Sequence, residues 1–211
     1  MANLNTLFVG KVLQRFQSLE STNDQAKLWV SKSTPIEGSV ISASYQSAGK
    51  GQIGSKWESE ADSNLLLSII LYPKFVPTNR TFDLNVMLSL AVRDWASNWV
   101  NQQVQVKWPN DVLVENQKLA GLLVQNGIQS GKIQYSILGI GINVNQKVFQ
   151  SYYPEACSLH TLSDQLFDLE VLENSLFQAI EQRYLQLKNG KINQLRKEYL
   201  QHLWMFETET T

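Results

Sequence analysis

Hydrophobic and polar positions follow two periods along this chain, one typical of strands and one typical of helices. Residues 64–73, NLLLSIILYP, are almost continuously apolar, which indicates a strand buried on both faces. Strand-like runs recur in residues 39–47, 104–108, 111–126 and 128–145, and polar turns separate them. Apolar side chains at helical spacing predict three long helices, within residues 80–100, 169–187 and 192–203.

The order of these elements predicts the fold class. Consecutive strands joined by short turns pair antiparallel, whereas a doubly wound fold needs a crossover between its parallel strands. We therefore predict an α+β architecture, with a mixed, largely antiparallel sheet flanked by helices.

One further helix is predicted near the start of the chain. In residues 20–32, ESTNDQAKLWVSK, the side chains of Ser21, Thr22 and Asn23 are candidate N-caps. Ala26 and Trp29 then belong to a plausible apolar stripe. This pattern indicates a loop that leads into a helix.

Composition narrows the class of protein. The chain has 211 residues, 43% of them hydrophobic, and a formal net charge of -1. This charge predicts neither a nucleic-acid nor a membrane partner. Any site for an anion must therefore be formed by a local group of residues. The single cysteine, Cys157, cannot form an internal disulfide, and we expect it to be a buried small hydrophobe. The N-terminus lacks the apolar core of a signal peptide, and we expect a cytoplasmic enzyme.

The most unusual stretch is SYQSAGKGQIGSKWES, residues 44–59. Gly49 and Gly54 have the spacing of a nucleotide phosphate loop, but Ser55 and Lys56 follow in the reverse of the order that such a loop requires. That interpretation fails. Two remain open: a solvated hairpin tip, or an anion-binding loop of another kind in which glycine N–H groups and Lys50 contact the anion.

A polar cluster interrupts the apolar strands in VKWPNDVLVENQKLAG, residues 106–121. Asn110 and Asp111 singly are ordinary turn residues, and Lys118 is an ordinary hairpin lysine. Their crowding between two strands, followed by the small residue Gly121, instead favours a ligand site.

The segment GIGINVN, residues 139–145, superficially matches a dinucleotide-binding fingerprint. It lacks the third glycine and opens no helix, so we reject that interpretation. Gly139 and Gly141 are expected to leave one strand face bare beside a ligand or a packed helix, with the polar Asn143 at the strand end.

Six segments together resemble the catalytic domain of biotin–protein ligases over roughly residues 14–205. They are STND, YQSAGKGQIGSKW, NLLLSIIL, VKWPNDVLV, KLAGLLV and GIGINVN, in the order and near the spacing of that family. The resemblance implies a fold like that of class II aminoacyl-tRNA synthetases and biotin ligases. It also implies activation of biotin by ATP with Mg²⁺ to biotinyl-5′-AMP, and transfer to a lysine of a biotin carboxyl carrier protein. Exposed sheet edges would permit a homodimer.

The resemblance assigns roles to residues one by one. Lys118 would stabilise the reacting anions, and Asp111 would orient or deprotonate the acceptor lysine. No metal ligand is assigned. The implied biotin-binding residues are Ser21, Thr22, Asn23, Gln46, Lys50, Gly51, Gln52, Lys118 and Gly121. The implied ATP- and adenylate-binding residues are Gly49, Lys50, Gly51, Trp57, Asn110, Lys118 and Asn143.

The chain departs from the family pattern in its loop and at its ends. Lys50, Gln52 and Ser55 stand where many members carry arginines, so we expect looser retention of the adenylate. We expect a single catalytic domain over residues 1–211, without an N-terminal winged helix and with a C-terminal β-barrel absent or truncated. A repressor role is then not expected.

Two alternative functions stay open at this point. A degenerate or truncated, non-catalytic biotin-binding protein would fit the depleted arginines, although it would need neither Asp111 nor Lys118. A lipoate–protein ligase would also use a key lysine and an acyl-adenylate, but the loop of that family has a different run of arginines and glycines.

Overall fold

The computed structural model describes residues 5–52, 55–150 and 155–206. A sheet of seven strands runs through it in the spatial order β1-β2-β3-β7-β6-β5-β4. The strands are β1 (Leu13–Phe16), β2 (Val40–Ala43), β3 (Asn64–Leu71), β4 (Val104–Lys107), β5 (Asp111–Val114), β6 (Gln117–Gln129) and β7 (Lys132–Asn143). Only β1 and β2 pair parallel, and every other neighbouring pair is antiparallel. The α+β prediction is therefore confirmed.

The helices are α1 (Thr22–Lys32), α2 (Phe82–Ala96), α3 (Leu159–Ser163), α4 (Leu169–Lys188) and α5 (Ile192–Gln201), and a short 3₁₀ turn covers Thr78–Arg80. Helices α2, α4 and α5 pack on one another and bury their apolar stripes in the main core on one side of the sheet. The indole nitrogen of Trp95 in α2 donates to Ser175 of α4 at 2.9 Å, which fixes these two helices to each other.

Alternation along the strands gives the sheet two different faces. In β7, Leu138, Ile140 and Ile142 point into the main core. On the opposite face, Ile137 joins a small cluster under α1. Gly139 and Gly141 continue that second face, where their lack of side chains leaves space above the sheet.

Two peripheral contacts complete the fold. The carboxylate of Glu181 in α4 accepts hydrogen bonds from the main-chain N–H groups of Leu7, Phe8 and Val9, at 2.6, 2.7 and 3.0 Å. At the far edge of the sheet, Val106 exchanges main-chain hydrogen bonds with residues 202 and 204, both 2.8 Å long. The C-terminal segment thus pairs with part of an edge that would otherwise be exposed.

Candidate active site

A cleft of about 200 Å³ lies on the face of the sheet where α1 begins, and it is partly open to solvent. Its lining residues are Ser21, Thr22, Asn23, Gln46, Lys50, Gly51, Gln52, Ser55, Lys56, Trp57, Asn110, Asp111, Lys118, Gly121, Leu122, Leu123, Gly139, Ile140 and Gly141.

One end of the cleft is built by the first residues of α1. The helix begins where predicted, with Ser21 as its N-cap. Thr22 and Asn23 are almost fully buried against the sheet. The main-chain N–H of Thr22 donates to Gln46 Oε1 at 2.7 Å, which fixes the orientation of the Gln46 amide. This end therefore presents uncharged hydrogen-bonding groups.

Gly139 makes this arrangement possible. A Cβ atom at this position would lie 2.3 Å from Asn23 Oδ1, far inside van der Waals contact. Asn23 therefore occupies the space that the sequence predicted to be bare, and its Nδ2 atom donates to Gln125 at 3.2 Å.

The glycine-rich stretch forms a tight loop above the cleft. Trp57 donates its main-chain N–H to the Gly49 carbonyl at 3.0 Å, and Gly51 donates to Ser55 at 3.0 Å. Lys50 forms an ion pair of 2.7 Å with Asp24 of α1. Ile53 and Gly54, which belong to the predicted loop, lie outside the described residues.

The indole of Trp57 lies on a floor made by two glycines. Gly121 in β6 and Gly141 in β7 are direct partners in the sheet. Cβ atoms there would lie 2.8 and 2.5 Å from ring atoms of Trp57. Lys118 Nζ lies 5.7 Å from the centre of the same ring, within the range of a cation–π contact.

The opposite end of the cleft carries charge. Lys118 Nζ lies 2.8 Å from Asp111 Oδ1, and both side chains are partly buried. This contact is an ion pair by distance, since Oδ1 has no well-aligned hydrogen-bond donor among the described residues. Lys50 and Lys56 bring the lining lysines to three, against Asp111 as the one acidic residue that lines the described cleft. The charge balance favours an anionic ligand.

The pairing of β5 with β6 brings Lys118 and Asp111 close together, although they are not direct partners in the sheet. The bulge in the pairing of β5 with β6 lies at Val112 and Leu113, between the two charged residues. Asn110 secures the preceding turn, because its Nδ2 atom donates to the Leu122 carbonyl at 3.0 Å. The pair is therefore set on strands rather than on a mobile segment.

Two of the implied nucleotide-binding residues, Asn143 and Gly49, do not line the cleft, and their binding roles stay predictions. Asn143 does not line the cleft: its Nδ2 atom donates to the carbonyl of Cys157 at 3.0 Å and to that of Lys118 at 3.4 Å. It thus fixes the main chain of Lys118 to that of Cys157. Gly49 also lies outside the lining and closes the base of the loop through its carbonyl. The other twelve predicted site residues all line the cleft, and their individual roles stay predictions.

Sequence reasoning also missed residues that the structure brings to the cleft. Lys56 was part of the quoted loop without an assigned role, and its main chain bridges that of Lys50. Leu123 supplies apolar lining from β6. No local signal separates such residues from ordinary core positions.

Nearby, Cys157 is buried as expected, and burial raises the pKa of its thiol to about 12. The thiol is thus protonated at neutral pH and is a poor nucleophile.

No group of three or more His, Cys, Asp or Glu side chains that could hold a metal occurs in the described part of the chain. Among the described residues, no helix is long and apolar enough to cross a membrane.

Comparisons with known proteins agree on one family. The model of the biotin/lipoate A/B protein ligase family matches residues 15–143. The bifunctional ligase/repressor BirA of Bacillus subtilis is 29% identical over 186 residues, which cover 86% of this chain and 56% of that protein. The biotin–[acetyl-CoA-carboxylase] ligase of Mycobacterium tuberculosis is 30% identical over 173 residues, or 81% of this chain and 63% of that protein. The chain thus spans somewhat more than half the length of these relatives.

A solved structure shares most of this architecture. The biotin protein ligase from Aquifex aeolicus, in complex with biotin and ATP, superposes with a TM-score of 0.79 at 25% identity, covering 92% of this chain and 78% of that one. The similarity confirms the predicted biotin ligase-like fold class.

Proposed function

Because the chain belongs to the biotin/lipoate A/B protein ligase family, we propose that it activates biotin with ATP and transfers it to a lysine of a biotin carboxyl carrier protein. The observation that carries this proposal is that one cleft combines an uncharged hydrogen-bonding end with a charged end. An uncharged hydrogen-bonding end faces the start of α1, and the Lys118–Asp111 pair lies at the other.

The uncharged end favours biotin over lipoate. The ureido group of biotin has N–H donors and a carbonyl acceptor, which need partners when they are buried. The Thr22 hydroxyl and the Gln46 amide, which line the cleft, would supply such partners. The dithiolane ring of lipoate has neither kind of group and would gain no hydrogen bond from them, at a cost in affinity.

In the first half-reaction, a carboxylate oxygen of biotin attacks the α-phosphorus of ATP and pyrophosphate leaves. Two anions must approach each other, so preorganised cations and N–H donors lower the barrier. Lys118 would contact both groups, and Lys50 belongs to the loop above them.

In the second half-reaction, the amine of the acceptor lysine attacks the acyl carbon of the adenylate, AMP leaves, and the amine loses a proton. A lysine amine is almost wholly protonated at neutral pH. Asp111 would orient this amine and accept its proton, while Lys118 stabilises the departing phosphate.

ATP would enter as its magnesium complex. Mg²⁺ in such sites usually keeps several waters and binds substrate phosphates with one or two carboxylates. That mode fits a cleft in which Asp111 is the one acidic group among the described lining residues. The chain's own residues would hold the nucleotide rather than enclose the ion.

The test is transfer of labelled biotin to a carrier domain in the presence of Mg-ATP. We expect labelling by the wild type and a rate at least about a hundredfold lower for Lys118→Ala, the typical loss when one electrostatic stabiliser is removed. Lys132→Ala is the matched control, because this exposed lysine at the β6–β7 turn lies outside the cleft. Biotin binding without any transfer would support instead the non-catalytic alternative, and equal rates for both variants would contradict the role of Lys118.

A further inference from the structure

Ser68 lies in the middle of β3, is fully buried and does not line the cleft, yet it contacts two residues that do. Its hydroxyl oxygen is 2.6 Å from Asn23 Oδ1 and 2.8 Å from Thr22 Oγ1. In the sheet Ser68 pairs with Gly139, the residue whose missing side chain leaves space for Asn23.

The surroundings determine which way the Asn23 amide points. One end of the amide faces the main-chain carbonyl of Leu123 at 3.4 Å and Gln125 Oε1 at 3.2 Å. A carbonyl oxygen can only accept a hydrogen bond, so the amide nitrogen must be the atom that faces it. Asn23 Oδ1 therefore faces Ser68.

Counting protons then gives the direction of the remaining bond. Asn23 Oδ1 can only accept, so the single hydroxyl proton of Ser68 is committed to it. The contact between Ser68 and Thr22 still requires a proton, and only the Thr22 hydroxyl can supply it. The Thr22 oxygen consequently presents lone pairs, and no proton, to the cleft.

We infer that Ser68 is a positioning residue that turns the Thr22 hydroxyl into a hydrogen-bond acceptor for an N–H group of the ligand. This inference rests on the proposed function, in which that N–H belongs to the ureido ring of biotin. Gln46 complements it, because its Oε1 atom is held by the Thr22 main chain and its Nε2 protons can donate to the ureido carbonyl.

The test is a double-mutant cycle on biotin binding, measured by calorimetry. We expect Ser68→Ala to raise the Kd for biotin about three- to tenfold and Thr22→Val to raise it about tenfold or more, the range that one net hydrogen bond supports. If Ser68 acts through Thr22, the double variant binds no more weakly than Thr22→Val alone. Thr22→Ser, which keeps the hydroxyl, should bind nearly as the wild type does, and the KM for ATP should not change.

Ser89→Ala is the matched control. Ser89 is also fully buried, but it lies in α2, and its hydroxyl has no hydrogen-bond partner among the described residues. Its replacement should leave the Kd for biotin unchanged, which separates a loss of orientation from a general effect of removing a buried hydroxyl.

Three results would overturn the inference alone: a Kd for Ser68→Ala within twofold of wild type, losses that add in the double variant, or equal Kd values for Thr22→Ser and Thr22→Val. The last comparison holds even if Ser68→Ala does not fold. Absence of biotin binding by the wild type would instead overturn the proposed function, and this inference with it.

Discussion

Replacement of Gly139 by alanine probes how the sheet makes room for the cleft. The added Cβ would lie 2.3 Å from Asn23 Oδ1 and 2.9 Å from Asn23 Cγ, whereas ordinary contact begins at 3.4 Å. The asparagine must therefore move by about 1 Å. Gly139 is not among the residues with positive φ, so alanine adds no backbone strain and the effect falls on Asn23.

The expected magnitude follows from the contacts that Asn23 loses. Displacement weakens its hydrogen bonds to Ser68, Gln125 and the Leu123 carbonyl. At about 1 kcal/mol net for each bond, the free energy of unfolding should fall by roughly 2–3 kcal/mol. The same displacement moves a side chain that lines the cleft, so the Kd for biotin should rise at least about tenfold. A tenfold rise corresponds to a loss of about 1.4 kcal/mol in binding free energy.

Thermal melts and calorimetry with biotin measure the two effects. Gly127→Ala is the matched control, because its Cβ would lie 2.3 Å from the ring of Tyr135, a residue outside the cleft lining. This control should lower stability while biotin affinity stays at the wild-type value. The reasoning is wrong if Gly139→Ala melts and binds biotin as the wild type does, or if both variants weaken binding equally.

Three further outcomes are expected. Glu181→Gln leaves at least one of three main-chain N–H groups without its acceptor, so the free energy of unfolding should fall by about 1–3 kcal/mol. The control is Glu170→Gln, an exposed change in the same helix, and its melting temperature should stay near that of the wild type. Because burial raises the pKa of the Cys157 thiol to about 12, iodoacetamide at pH 8 should alkylate the protein only in denaturant. The pKa of this thiol is higher in the folded than in the unfolded protein. The stability that the protonated thiol contributes is therefore complete below about pH 8.5 and is lost as the pH rises. Fast labelling of the native protein would contradict this burial. Gln52→Arg should restore a bidentate cation beside the adenylate, so hydroxylamine should trap less biotinyl hydroxamate from the variant than from the wild type; equal yields would show that Gln52 does not loosen retention.

Local sequence patterns predicted most of the long secondary-structure elements. The almost continuously apolar run of β3 predicted a buried strand, and all eight of its residues are buried. The spacing of apolar residues predicted α2, α4 and α5, and the polar cluster at Ser21 predicted the start of α1. Such features depend on neighbours within a few residues of one another, so periodicity and capping preferences determine them.

Other elements carried too weak a local signal. The strand β1 has four residues and α3 has five, and neither was predicted. Short elements bury little surface of their own and are stabilised by partners distant in sequence. For β1 the partner is β2, in the one parallel pairing of the sheet.

For the cleft, too, the sequence predicted some features and only the tertiary structure showed others. Residue types and their order were enough to nominate Lys118 and Asp111, but not the direction of any side chain. Only the tertiary structure showed that Asn143 donates to the main chain of Lys118 and that Trp57 packs on two paired glycines. Only it brought Ser68 against Thr22 and Asn23, 46 and 45 residues away in sequence. Hydrogen-bond direction and close packing depend on atoms that meet across the sheet, and no local pattern in the chain records which atoms those are.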